Sequence, residues 1–170
     1  MDKHSAVATS NSETPSILDM PRDPRAVALA AYWRSKCAGR PMPDRKDIDP
    51  AEIVALLPNI FISEALNGGA EFRFRIFGTA LVNLIGAELT GKSIADLSAN
   101  SIVIDTAAAA LRWKSISRMT FDTARPVSAA GRLINTVHRT LEWESFSAPL
   151  TVGGDGIGQI VGGLFFGDIR

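Results

Sequence analysis

Residues 86–93 read Gly-Ala-Glu-Leu-Thr-Gly-Lys-Ser and satisfy the phosphate-loop pattern G-x-x-x-x-G-K-[ST]. In a nucleotide hydrolase the glycines let backbone N–H groups cradle the phosphates, Lys92 reaches the outer ones and Ser93 holds the metal. Downstream, Ile102, Val103 and Ile104 run into Asp105, as an apolar strand ending in a magnesium ligand would. The surroundings argue against that chemistry. Such a loop follows a buried strand and opens a long helix, yet Leu81, Leu84 and Ile85 precede this one at helical spacing. Ser93 and Ser101 also stand too close in sequence for a helical crossover. The pattern reads as a coincidence of turn residues, and a hydrolase acting through residues 86–93 is the least supported function class.

Other reactive side chains are scattered. His4 lies in a polar N-terminal stretch and His138 stands alone in a strand, so no second His or Cys supplies metal-ligand spacing. Cys37 falls on an apolar helical stripe and reads as a small buried residue rather than a reactive thiol. Glu142 and Glu144 share one strand face and would form an acid–base pair only if that face turned inward. No serine sits in a G-x-S-x-G elbow. The glycines of GGDGIGQIVGG suggest a dinucleotide fingerprint, but no helix follows them, so they read as turn and strand glycines. No catalytic residue and no metal site is assigned.

Composition sets outer bounds. The chain has 170 residues, 46% hydrophobic and 21% charged, ordinary values for one globular domain. Its 18 basic and 18 acidic residues cancel, so no net field draws it to nucleic acid or to an anionic membrane. A single cysteine excludes an internal disulfide and fits the cytoplasm. Residues 1–22 lack the apolar core of a signal peptide or a membrane span and read as a disordered tail, leaving residues 23–170 as the domain.

Within the domain, Asp23 and Pro24 open a helix to Gly39 whose stripe is Ala26, Leu29, Ala30, Trp33 and Cys37. A Pro-rich loop and a short helical turn ending at Pro58 follow. Residues 59–66 and 71–77 read as strands joined by a turn at Asn67-Gly68-Gly69. In the second strand Phe72, Phe74 and Ile76 alternate with Arg73 and Arg75, which reads as a half-buried strand. Gly78 breaks it, Thr79 caps a short helix, and Gly86 and Gly91 are the turn glycines after it. A helix is expected over residues 101–119, with Ile104, Ala108, Leu111 and Ser115 on one face. The remainder reads as antiparallel strands: 125–128, then a turn at Ala129-Ala130-Gly131, then 136–150 with a bulge or a change of face near Glu144-Ser145, then 157–166.

The positions Gly78, Thr79, Gly86, Leu89, Thr90, Gly91, Asp96 and Leu97, in the order F-G-T … G-x-x-L-T-G-x-x-x-x-D-L, resemble the central segment of an alphaproteobacterial family of single-domain PAS proteins. The similarity extends to Trp33, to Ile48-Asp49-Pro50, to Leu56-Leu57-Pro58, and to Glu144 with Pro149-Leu150. The element order matches independently: an α+β fold with a five-stranded antiparallel sheet, helices on one face and an N-terminal flanking helix. The resemblance implies a non-enzymatic sensory or interaction module in bacterial signalling. It also implies a small apolar ligand between sheet and helices, with Phe72, Phe74, Ile76, Leu84, Leu89, Ile104, Ala108 and Leu111 as lining candidates. A plain filled core made of the same residues is the competing reading. Haem or flavin attachment in some members uses an axial His or a reactive Cys in the pocket; Cys37 and His138 are misplaced for either, so neither cofactor is supported. Flanking helices in this family often mediate dimers, which makes Leu29, Ala30 and Trp33 the interface candidates of a homodimer or of a signalling partner; the competing reading folds this helix back over its own sheet. A small enzyme or carrier on a similar pocket stands as the alternative function.

Overall fold

The computed structural model describes residues 14–97, 105–134 and 140–168. Six strands form one antiparallel sheet: β1 (Ser16–Leu18), β2 (Ile60–Leu66), β3 (Glu71–Phe77), β4 (Val127–Ile134), β5 (Thr140–Thr151) and β6 (Ile157–Asp168). Their order is β1-β4-β5-β6-β2-β3. The helices are α1 (Pro24–Cys37), α2 (Thr79–Ile85) and α3 (Thr106–Thr123). Five strands match the expected set; the sixth, β1, pairs Ile17 with Ala129 and lies inside the segment read as a tail.

Each face of the sheet carries its own apolar layer. Phe61, Phe72, Phe74, Phe77, Leu141 and Trp143 meet α2 and α3 on one side. Ile60, Ile62, Phe146, Ala148, Leu150 and Phe165 meet α1 on the other. Alternation along a strand sends neighbouring side chains to opposite faces, so a sheet covered on both sides needs apolar residues in both phases. β5 shows the transition: its outer half alternates Leu141 and Trp143 with Glu142 and Glu144, and its inner half is buried throughout.

Strand pairing decides two local expectations. Of the bulge or change of face expected at Glu144-Ser145, the change of face is found: pairing with β4 and β6 runs continuously there, Leu141 and Trp143 pack on one side and Phe146, Ala148 and Leu150 on the other, and the register of β5 with β6 shifts only at Leu150/Thr151. The apparent slip in period is the point where α1 begins to cover the second face. Ala129-Ala130-Gly131 is not a turn but the middle of β4, and a Cβ on Gly131 would meet the Trp143 indole at 2.7 Å. Small residues there make room for that ring rather than for a change of direction. The bulge lies instead in β3, where Ile62 pairs with Ile76 but Ser63 with Phe74, leaving Arg75 as the extra residue.

The cap expected at Asp23 is found, but Thr79 is the first residue of α2, whose cap position is Gly78 with no side-chain bond, and the helix expected over residues 101–119 is α3, which starts at Thr106 and runs on to Thr123. Asp23 caps α1 by accepting from the Arg25 amide, and Asp105 caps α3 by accepting from the Ala108 amide at 2.9 Å. The latter is the role of the carboxylate that the phosphate-loop reading would give to magnesium.

Candidate functional site

The layer between α3 and the sheet does not close completely. A cavity of about 60 Å³ is left among Phe61, Leu84, Ile85, Ile116, Leu133 and Leu164, with Arg112, Trp113, Ser145 and Ser147 also reaching it. Trp113 is its organising side chain. Its ring stands edge-on to Phe61 and to Phe74, each with centroids 5.1 Å apart, and leans against Phe77. Aromatic packing of this kind fixes the indole from three sides but leaves its N–H without a partner. The Ser145 hydroxyl, on a residue only 5% exposed, is also unpaired. Arg112 lines both this cavity and the groove outside it, between β1 and α3. Burial holds its guanidinium below the usual arginine range, with the Asp105 charge acting in the opposite sense.

Of the pocket residues expected from sequence, Leu84 lines the cavity, while Phe72, Phe74 and Leu89 are buried in the same layer without lining it. Ile76 packs on the α1 side, because the extra residue at Arg75 reverses the phase of β3 after Phe74; Phe77 takes the inward place. Leu111 is 67% exposed, and Ala108 faces the outer groove with it. The inward face of α3 is Ala109, Trp113 and Ile116, turned well away from the expected stripe. Ile104, like His4 and His138, lies outside the described residues. Sequence reasoning missed Arg112, Trp113 and Ser145. A tryptophan four residues after Ala109 in a helix crossing a sheet was the available signal.

The dimer candidates are elsewhere than expected. Leu29 is 0% exposed, Ala30 and Trp33 are 6% exposed, and all three pack on the chain's own sheet. The Trp33 indole donates to the Pro149 carbonyl at 3.0 Å. Glu144 accepts from the Arg22 and Asp23 amides at 2.6 and 3.0 Å, which ties the start of α1 to β5. Trp33, Glu144, Pro149 and Leu150, four of the outlying positions of the sequence resemblance, thus form one docking rail for α1. Cys37 closes the same layer; its thiol donates to the Trp33 carbonyl at 3.6 Å, and burial raises its pKa.

Residues 86–93 form a turn pinned to the sheet. Gly86 ends α2 at φ 81° and Gly91 also sits at φ 81°. The Gly91 amide donates to the Phe74 carbonyl, and the Phe74 amide donates to the Lys92 carbonyl. Ser93 opens only a single 3₁₀ turn, residues Ile94–Asp96. A helix lies before the pattern and no long helix opens from it, the reverse of what phosphate binding requires. Gly78 is held by close approach, since a Cβ there would collide with the Pro58 carbonyl oxygen. Among the described residues no group of three or more His, Cys, Asp or Glu gathers as a metal site would, and no helix is long and apolar enough to cross a membrane.

Comparison with known proteins agrees with this architecture. VqmA bound to DPO superposes with a TM-score of 0.51 at 17% identity, over 71% of this chain and 56% of that one. The PAS domain of Bordetella pertussis BvgS gives 0.51 at 20% identity, over 72% and 88%. A Vibrio cholera VqmA–ligand–DNA complex gives 0.50 at 16%, over 71% and 52%, so this chain spans little more than half of VqmA. At these identities the likeness is one of fold. No curated protein matches the chain. The model of the PAS domain family matches residues 22–165, from just before α1 to the end of β6, and the chain therefore belongs to that family.

Proposed function

We propose that this chain is a non-enzymatic sensory module of bacterial signalling in the cytoplasm. It takes a small ligand between α3 and the sheet and acts through a signalling protein or a second copy of itself. One observation carries the reading: an apolar cavity of about 60 Å³ stays open between α3 and the sheet, among Phe61, Leu84, Ile85, Trp113, Leu133 and Leu164. Such a space supports the burial of a small apolar body, which gains by leaving water. Among the described residues the lining contains no carboxylate, imidazole or thiol, which supports binding over acid–base or nucleophilic catalysis. VqmA, of similar fold, is known bound to DPO, which supports a binding role for this fold. Any second copy or partner must dock on a surface other than Leu29, Ala30 and Trp33, which the sheet occupies.

Native mass spectrometry of protein purified from its own cells tests the reading. The expected result is a small non-covalent adduct that is lost on denaturation. A bare protein, whose thermal unfolding no small-molecule extract of those cells shifts, would favour the filled core.

A further inference from the structure

We propose that the ligand is a medium-length aliphatic chain, with its end in the cavity and its remainder in the groove between β1 and α3. The proposal rests on the ligand-binding reading above and adds the chemical class. The groove, of about 350 Å³, lies between Ile17 of β1 and Ala108, Leu111, Ser115 and Met119 of α3. Leu111 is 67%, Ile17 51% and Met119 39% exposed, so three large apolar side chains stand in water along one surface. They supply far less than the ~800 Å² per partner that a stable protein interface buries, so the occupant is a small molecule. Groove and cavity share Arg112 and Ile116. These two stand at i and i+4 and form a single ridge of α3, with the cavity on its Trp113 side and the groove on its Leu111 side. Ile116 is buried, whereas Arg112 is half-buried and among the described residues no carboxylate holds its guanidinium in an ion pair. Its methylene stem covers apolar surface while its head reaches water, so it can swing aside without breaking a pair. From Ala108 to Met119 the groove follows the helix for about 16 Å at 1.5 Å per residue. A compact molecule confined to the 60 Å³ cavity leaves that length in water; a chain laid over the ridge covers both spaces. Methylenes need no polar partner, which suits two walls whose only charged group, among the described residues, is Arg112.

The test combines xenon binding followed by NMR with titration calorimetry of the full chain against 1-butanol, 1-hexanol and 1-octanol. Xenon is expected to enter the cavity and octanol to displace it. Affinity is expected to rise at least about fourfold from each alcohol to the next, since a fully buried methylene is worth about fourfold and a half-buried one about twofold. Leu111→Lys, at an exposed position, then weakens octanol severalfold and leaves butanol within about twofold. Octanol that binds no tighter than butanol, that ignores Leu111→Lys, or that leaves xenon in place would overturn the chain assignment and leave the ligand module standing. Xenon entry with no alcohol bound also overturns it, because the groove is then shut off from the cavity or covered by the chain itself. A cavity that excludes xenon ends the ligand reading as well.

Discussion

Trp33 Nε1 donates to the carbonyl oxygen of Pro149 at 3.0 Å, joining a helix near the start of the chain to the strand that lies under it. Both partners are buried, so losing one leaves the other unpaired. Trp33→Phe keeps most of the ring but strands the carbonyl, and is expected to cost about 1–3 kcal/mol in chemical denaturation. Trp33→Asp should unfold the domain rather than split a dimer. A folded monomer from that variant, with a wild-type dimer in light scattering, would return Trp33 to an interface.

The face of α3 can be tested with two neighbouring residues. Leu111→Lys changes an exposed side chain and should move stability by less than about 0.5 kcal/mol. Trp113→Ala removes the ring that holds Phe61, Phe74 and Phe77 together, and should cost about 3–5 kcal/mol. Equal losses by thermal and urea unfolding would mean that the helix is rotated.

Turn geometry makes a prediction at residues 86–93. Gly86→Ala and Gly91→Ala each force a side chain into a left-handed backbone and should destabilise by about 1 kcal/mol. Lys92→Ala should leave stability unchanged, and calorimetry should detect no ATP binding to either protein. Micromolar ATP affinity abolished by Lys92→Ala would restore the phosphate-loop reading.

Asp44 supplies a pH dependence. Its carboxylate accepts from the Gly153 amide, the Lys46 amide and the Thr151 hydroxyl, which hold its pKa down at about 2. The ordinary value is 3.8, so the folded state prefers the ionised form. That stabilisation is complete above the ordinary value and is lost as pH falls toward about 2. Asp44→Asn should therefore be less stable than wild type at neutral pH, with the gap closing across that window. A gap that is constant with pH would refute the assignment.

What the sequence by itself determined was local. The alternation of residues 71–74, the stripe of α1, the cap at Asp23 and the left-handed Gly86 and Gly91 are all set by near neighbours, and each is found where the spacing puts it. The sequence resemblance identified the fold because its motif residues keep fixed jobs, Glu144 and Pro149 holding α1 among them. The tertiary structure decided everything that depends on a second surface. The stripe of α1 is the same whether it covers a partner or its own sheet; the polar contacts from β5 choose the sheet. Alanines around α3 leave its rotation unmarked in sequence, and the aromatic cluster on β2 and β3 draws in Trp113 instead of Leu111. Ile76 changed sides because one extra residue was accommodated against β2, a consequence of strand pairing that no local period records. The cavity arises last of all, where those packed surfaces fail to meet, and that mismatch exists only between elements distant in the chain.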